Sequence, residues 1–247
     1  MDMQFYAGAS LALFLAYSVK SSTGLGSALI AVPLLGLIMN FKDAVAFDML
    51  FEAAAGILLI SHCFKFVNWP VFLILSIGSF IGVPLGTEAL KKFSVEFIGI
   101  TIGVVAAGFG IMMLAVDTTC YKIPVKNKIA GLAAGFVGGV FKGMCGMGGP
   151  PVTAYCNYVF EDKATIRATL IAVFAVSSFQ RLALYLKVGL VPEHLYLPFF
   201  ALLPVFLIAT FFGPKIFAIF NENTFRKTVA IIIVATGLLS IYKGLIK

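Results

Sequence analysis

The chain has 247 residues, of which 61% are hydrophobic and only 12% charged, and its mean hydropathy is +1.04. Soluble domains carry about twice that share of charged residues, so the composition excludes a soluble globular class. The apolar runs are continuous rather than alternating, which excludes a β-barrel and predicts an all-α, polytopic integral membrane protein, multi-pass in the cell (plasma) membrane. The net charge of +7 comes from basic residues near the ends of these runs, where they set topology and contact membrane lipid.

Segments of about 20 residues, long enough to cross a hydrocarbon core, follow one another along the chain. In the first half, KSSTGLGS interrupts an apolar stretch over residues 5–40, and segments 44–65, 70–90 and 95–116 follow. In the second half, KGMCGMGG interrupts a stretch over residues 128–160, and segments 164–187, 193–214 and 225–246 follow. The polar loop between them divides one integrated membrane domain into an N-terminal repeat, residues 1–120, and a C-terminal repeat, residues 121–247.

The two halves align without a gap when one is shifted by 122 residues. The unusual residues then match: Lys20 falls on Lys142, Gly24 on Gly146, Gly26 on Gly148, Lys65 on Lys187 and Pro70 on Pro192. We interpret this as two homologous four-segment repeats, each with a glycine-broken first segment. Duplicated halves that are interrupted by glycine at corresponding positions are a pointer to a transporter binding site.

Two topologies fit this pattern. If each interruption is the tip of a hairpin, each half crosses the membrane an odd number of times, the halves are inverted, and the interruptions meet near the midplane. If each long stretch crosses once, there are eight spans and parallel repeats. We favour the inverted arrangement.

A glycine-rich interruption inside a span must be buried in protein or face water, because lipid cannot pair its backbone groups. The helix that restarts after it offers unpaired N–H groups and the positive end of its dipole. Together with the two lysines, such helix starts form an anion site. The candidate substrate-binding residues are Lys20, Ser21, Ser22, Thr23, Gly24, Gly26, Ser27, Lys142, Cys145, Gly146, Gly148, Gly149 and Pro150.

A plainer interpretation stays open for each of these features. Glycine and proline in membrane helices often serve only close packing, and Lys20 could extend to the interface at the end of a short first span. Cys145 could contact a sulfur substrate, but its counterpart Thr23 indicates that only a small residue is needed there.

The second interruption, GMCGMGGPPVTAY, and the first, GLGSALIAVPLL, resemble the paired signature of the TauE/SafE family of sulfite and organosulfur-anion exporters. The duplicated halves match that family as well, so the resemblance covers the whole chain. The first signature departs from the family pattern, since Ser27 and Ala28 stand where glycine is usual, while Val32 and Pro33 are kept. The resemblance implies a secondary transporter of sulfite, thiosulfate, sulfoacetate or related sulfonates, often by proton-linked export.

Charged residues within the spans are the candidates for proton coupling. Asp48 and Glu52 are four residues apart and share a helix face, and Glu52 lies about 15 Å into its span. We interpret Glu52 either as a proton-carrying acid or as the structural partner of a basic residue from another helix. Arg181 replaces a leucine of the other half and is either an extra anion contact or a residue that extends to the interface.

An anion channel, or a transporter of a non-sulfur small anion, remains an alternative function. The chain has no GxSG nucleophile with a partnered histidine, no HExxH and no paired aspartates typical of a protease, so we do not expect an enzyme. No metal site and no cofactor are expected. The expected partners are a small anionic substrate, protons and membrane lipid, with a homo-oligomer left open and no nucleic acid.

Overall fold

The computed structural model describes residues 3–24, 27–115, 127–217 and 222–246, and within them it contains ten α-helices. The first half holds α1 (Met3–Thr23), α2 (Ala28–Ile38), α3 (Phe41–Cys63), α4 (Trp69–Lys92) and α5 (Val95–Ala115). The second half holds α6 (Lys128–Cys145), α7 (Gly149–Val159), α8 (Lys163–Lys187), α9 (Tyr196–Phe217) and α10 (Glu222–Ile246). Single 3₁₀ turns, Phe64–Phe66 and Glu193–Leu195, precede α4 and α9.

Short polar residues set where several helices begin. The side-chain oxygens of Asn40, Asn68, Asn127 and Asp162 accept hydrogen bonds from backbone N–H groups in the first turns of α3, α4, α6 and α8. Such caps satisfy donors that have no partner within the helix. This explains why α3 begins at Phe41, three residues before the predicted segment.

Six of the helices in the described part of the chain are long and apolar enough to cross a membrane: α4, α5, α6, α8, α10, and α9 together with its preceding turn. Large apolar side chains on the outer surface, such as Leu73, Ile77 and Phe80, are more than half exposed, as suits a lipid-facing surface. The all-helical, polytopic membrane class is therefore confirmed. The duplication and the inverted arrangement stay predictions.

Glycine stripes bring two helices of the bundle into backbone contact. Gly78, Gly82 and Gly86 of α4 lie against Gly135, Gly139 and Gly143 of α6. A Cβ atom at Gly139 would lie 2.7 Å from Ser79 Cα, closer than real Cβ contacts. Small residues spaced by four allow this approach in membrane helices. The stripes hold the C-terminal part of α6, which carries Lys142, against α4.

Candidate functional site

The centre of the protein holds a closed cluster of charged side chains around Glu52 of α3. Glu52 is fully buried, and Lys20 of α1, Lys142 of α6 and Arg181 of α8 surround it with exposed fractions of 4%, 2% and 0%. Charged groups are expensive to bury unless they are paired. The convergence of four helices on one carboxylate is therefore the strongest candidate for a functional site in the described residues.

The two oxygens of Glu52 divide the three cations between them. Oε1 lies 2.5 Å from the Nζ atom of Lys142 and 3.3 Å from that of Lys20. Oε2 lies 3.3 Å from NH1 of Arg181. Lys20 and Lys142, which align in the two halves of the sequence, thus meet at one oxygen atom.

Arg181 also donates hydrogen bonds to the backbone of two other helices around the cluster, α3 and α6. Its NH1 donates to the backbone oxygen of Lys142 at 3.2 Å, near the end of α6, and its NH2 donates to that of Val45 in α3 at 2.9 Å. Its guanidinium lies 5.1 Å from the ring centre of Tyr185, whose hydroxyl donates to the backbone oxygen of Gly143. A residue with this burial does not extend to the membrane interface, so that alternative for Arg181 is wrong.

Asp48 lies one turn before Glu52 and has different partners. Tyr17 of α1 donates to the Oδ1 atom of Asp48 at 3.0 Å and to its backbone oxygen at 3.1 Å. The Oδ2 atom of Asp48 is buried and has no hydrogen-bond partner among the residues that the structure describes. An unpaired polar atom is costly in a protein interior, so Asp48 is less well satisfied here than Glu52.

The helix ends that carry the two lysines share one local geometry. Gly24 and Gly146 both have positive φ, +76° and +79°. The N–H of Gly24 donates to the backbone oxygen of Lys20 at 2.8 Å, and that of Gly146 to Lys142 at 2.9 Å. Glycine is favoured where φ is positive because it has no Cβ atom.

Gly146 lies where the end of α6 contacts the start of α2 and the guanidinium group of Arg181 in α8. A Cβ atom there would lie 2.7 Å from NH1 of Arg181 and 3.0 Å from the Cβ of Ala28. Gly148, at the start of α7, lies against Lys142, with 2.9 Å between a Cβ atom built on it and the Cβ of that lysine. Small residues at these two positions leave room for the charged cluster.

Other predicted residues have local roles in this structure. The hydroxyls of Ser21, Ser22 and Thr23 donate to backbone oxygens three or four residues earlier in α1. Cys145 is a fully buried thiol near Arg181, while Gly149 and Pro150 begin α7. Gly26 lies outside the described residues.

Three residues of this region were missed by the sequence reasoning: Tyr17, Tyr185 and Arg167. Arg167 of α8 donates to the backbone oxygen of Ser21, and its chain lies against Gly24, so it holds the end of α1. None of the three has a counterpart of the same type in the other half. The sequence signal that could have identified them is a tyrosine or arginine within an apolar span.

The charge balance of the cluster favours an anion. When all groups are ionised, the three cations outweigh the two carboxylates, Asp48 and Glu52, by one positive charge. Aromatic rings flank the cations, with Lys142 Nζ 5.0 Å from the ring centre of Phe174. Cations over ring faces are stabilised without being neutralised. The cluster thus combines charged hydrogen-bond donors with one excess positive charge.

The chain matches the family model "Sulfite exporter TauE/SafE" over residues 9–240, nearly its whole length. No curated protein and no solved structure matched it.

Proposed function

Since the chain belongs to the TauE/SafE family of sulfite exporters, we propose that it is a proton-coupled secondary transporter of small sulfur-containing anions in the cell membrane. The family supports a membrane transporter rather than an enzyme. Sulfite, thiosulfate and organosulfonates are the substrate class that the family description favours. All three present oxygens that accept charge-assisted hydrogen bonds from lysine and arginine.

The observation that carries the proposal is the meeting of Lys20 and Lys142 at Glu52 Oε1, at 3.3 and 2.5 Å. These lysines come from corresponding positions of the two halves and are almost completely buried. Ionisable residues inside a membrane protein are rare and mark substrate or ion pathways by default. A shared central site is also what transporters with repeated halves use.

Several features support two repeats, residues 1–120 and 121–247, around this site. In each half an 11-residue helix, α2 or α7, follows a helix that ends at a positive-φ glycine. The first helix of each half also packs on a helix of the other half: α1 packs on α9, and α6 packs on α4. We infer that the halves are inverted and that they rock about the cluster in alternating access, since both lysines reach its centre.

Glu52, Asp48 and Arg181 are the proposed coupling groups. Glu52 is the only carboxylate among the described side chains that contacts both lysines. A proton on Glu52 would remove its charge and weaken its hold on the three cations, which would then be available to an anion. One proton and one anion would thus use the same cluster in turn.

The test is flux into proteoliposomes that contain the purified protein. Sulfite, thiosulfate and a sulfonate are compared with chloride and with a non-sulfur oxyanion such as formate, with and without a pH gradient. We expect saturable uptake of sulfur oxyanions that a pH gradient drives uphill. Equal flux of all anions with unitary currents would instead indicate a channel and overturn the proposal.

A further inference from the structure

The carboxylate of Glu52 holds the cluster in the way that a bound oxyanion would. One oxygen receives Lys142 and Lys20, and the other receives Arg181. A carboxylate and a sulfite or sulfonate group are alike in offering several anionic oxygens that only accept hydrogen bonds. The cation set is thus already arranged around a group of the substrate's chemistry, and that group belongs to the protein itself.

Substrate and Glu52 would need the same donors at the same time. The cations are almost fully buried around Glu52, and the Nζ atoms of Lys20 and Lys142 both point at its Oε1 atom. We propose, resting on the function proposed above, that Glu52 is an internal occupant of the anion site. It must leave Lys20, Lys142 and Arg181 before the transported anion can bind.

The asymmetry of the cluster favours an occupant over a simple structural ion pair. The position in α8 that corresponds to Glu52 is Phe174, and its ring packs against Lys142. One carboxylate therefore serves two corresponding lysines and an arginine, where pairing each lysine separately would need a second carboxylate. The neighbouring Asp48 is bound instead to the hydroxyl of Tyr17.

An internal occupant explains how a strongly cationic site can release its anion. The apparent affinity for substrate equals the intrinsic affinity of the free site multiplied by the fraction of protein molecules in which the site is free. Minor conformations commonly make up about 0.1–10% of a protein, which corresponds to a tenfold or larger reduction. The return of Glu52 to Lys20 and Lys142 then displaces the anion, so that the empty carrier never leaves three buried cations unpaired.

The experiment compares sulfite binding to the parent protein, Glu52→Gln and Asp48→Asn, purified in lipid nanodiscs at neutral pH. Both variants remove one negative charge within a single turn of α3, but only Glu52 contacts the lysines. We expect Glu52→Gln to bind sulfite about tenfold more tightly or better. Asp48→Asn, the matched control, should show a clearly smaller gain.

A second pair of variants covers the case in which Glu52→Gln does not fold. Lys142→Met is compared with the double variant Lys142→Met/Glu52→Gln, which has the same net charge in the cluster as the parent protein. Removal of Glu52 should again tighten sulfite binding about tenfold or more in this background.

The outcomes separate this inference from the proposed function. Sulfite binding by the parent with no gain on removal of Glu52, or an equal gain in Asp48→Asn, would overturn the inference and leave the transport function standing. Tighter binding by the Glu52 variants together with no sulfite flux in the parent would support the occupant and overturn the transport function. No binding by the parent or any variant would overturn both.

Discussion

Lys20 and Lys142, separated by 122 positions in the chain, place their ammonium nitrogens on one oxygen atom of a single buried carboxylate. Two like charges this close repel each other, and the attraction of both to an anion between them offsets that repulsion. The structure supplies that anion as Glu52. Much of the chemistry expected of this protein depends on which anion occupies this position.

The first prediction concerns the lysine closest to the carboxylate. Lys142→Met should weaken sulfite binding about ten- to hundredfold, because a hydrogen bond to a charged group contributes about 1.5–3 kcal/mol. The fold should persist, since Lys20 and Arg181 still pair with Glu52. Isothermal titration and thermal unfolding measure the two effects. Lys128→Met is the matched control, because Lys128 is exposed at the start of the same helix and should change neither value. Equal sulfite affinity in Lys142→Met and the parent would contradict the role.

Arg181 gives a second prediction, on stability. Arg181→Lys keeps the charge but cannot reach Glu52 and the backbone oxygens of Lys142 and Val45 together. Carbonyl groups left buried without donors cost about 1–3 kcal/mol each. We expect a lower midpoint of thermal unfolding in detergent, and Lys187→Arg, at the exposed end of the same helix, should leave it unchanged. A variant as stable as the parent would show that Arg181 acts only through its charge.

The third prediction tests the glycine contact that positions α6. Gly143→Ala would push a Cβ atom within 2.8 Å of Thr87 N in α4, so the two helices must separate. Overpacking of this kind costs about 1–3 kcal/mol, and it should also displace Lys142 and weaken sulfite binding. Gly108→Ala on α5 is the control, because no other helix in the described part of the chain comes within 4 Å of a Cβ atom there. Similar unfolding midpoints for the two variants would exclude a role for the stripe.

A fourth prediction uses the helix cap at Asp162, outside the membrane spans. Hydrogen bonds from the Thr165 hydroxyl and the Thr165 and Ala164 backbone N–H groups lower the pKa of Asp162 below its ordinary value. A carboxyl with a lowered pKa stabilises the fold above its unfolded-state pKa and loses that contribution as the pH falls through the folded value. Asp162→Ala should therefore lower the unfolding midpoint at neutral pH, and the difference should shrink below about pH 4. A difference that stays constant with pH would contradict a charged cap.

The sequence predicted the helices well and the central cluster only in part. Apolar runs bounded by charged residues predicted the long helices to within a few residues, since burial in lipid follows directly from the local composition. Lys20 and Lys142 could be named because they match between the halves. The partners Tyr17, Tyr185 and Arg167 stand out only as polar residues within apolar spans, and the sequence does not show that they lie at the site, because they become its neighbours through packing between helices far apart in the chain.

The predicted segment 193–214 lies within a candidate span, Glu193–Ile216, but its first turn is not α-helical, for a local reason. Segment 193–214 begins instead as a 3₁₀ turn at Glu193–Leu195, and α9 runs from Tyr196 to Phe217. Pro192 has the extended backbone of an N-cap, so the chain makes a turn before the helix begins.

The alternative that Lys20 extends to the membrane interface is also wrong, because Lys20 is only 4% exposed and pairs with Glu52.

The last prediction concerns how Glu52 links proton and anion movement. Glu52→Gln mimics a permanently protonated carboxyl, so anion exchange, which needs no net proton movement, should continue in proteoliposomes. Uphill uptake driven by a pH gradient should be lost, because no proton can bind or leave at this position. In buffer without a bound oxyanion the variant should also unfold at a lower temperature, since Lys20, Lys142 and Arg181 lose their shared partner.

Asp48→Asn separates the two carboxylates, because Asp48 contacts Tyr17 and neither lysine. If Glu52 alone carries the coupled proton, Asp48→Asn keeps gradient-driven uptake while Glu52→Gln loses it. If both variants lose it, the proton is shared between the two carboxylates of α3. A stable Glu52→Gln protein with unchanged gradient-driven flux would contradict the coupling role, because coupling would then proceed without a titratable group at this position. The three cations would in that case be paired with some other anion in every step of transport.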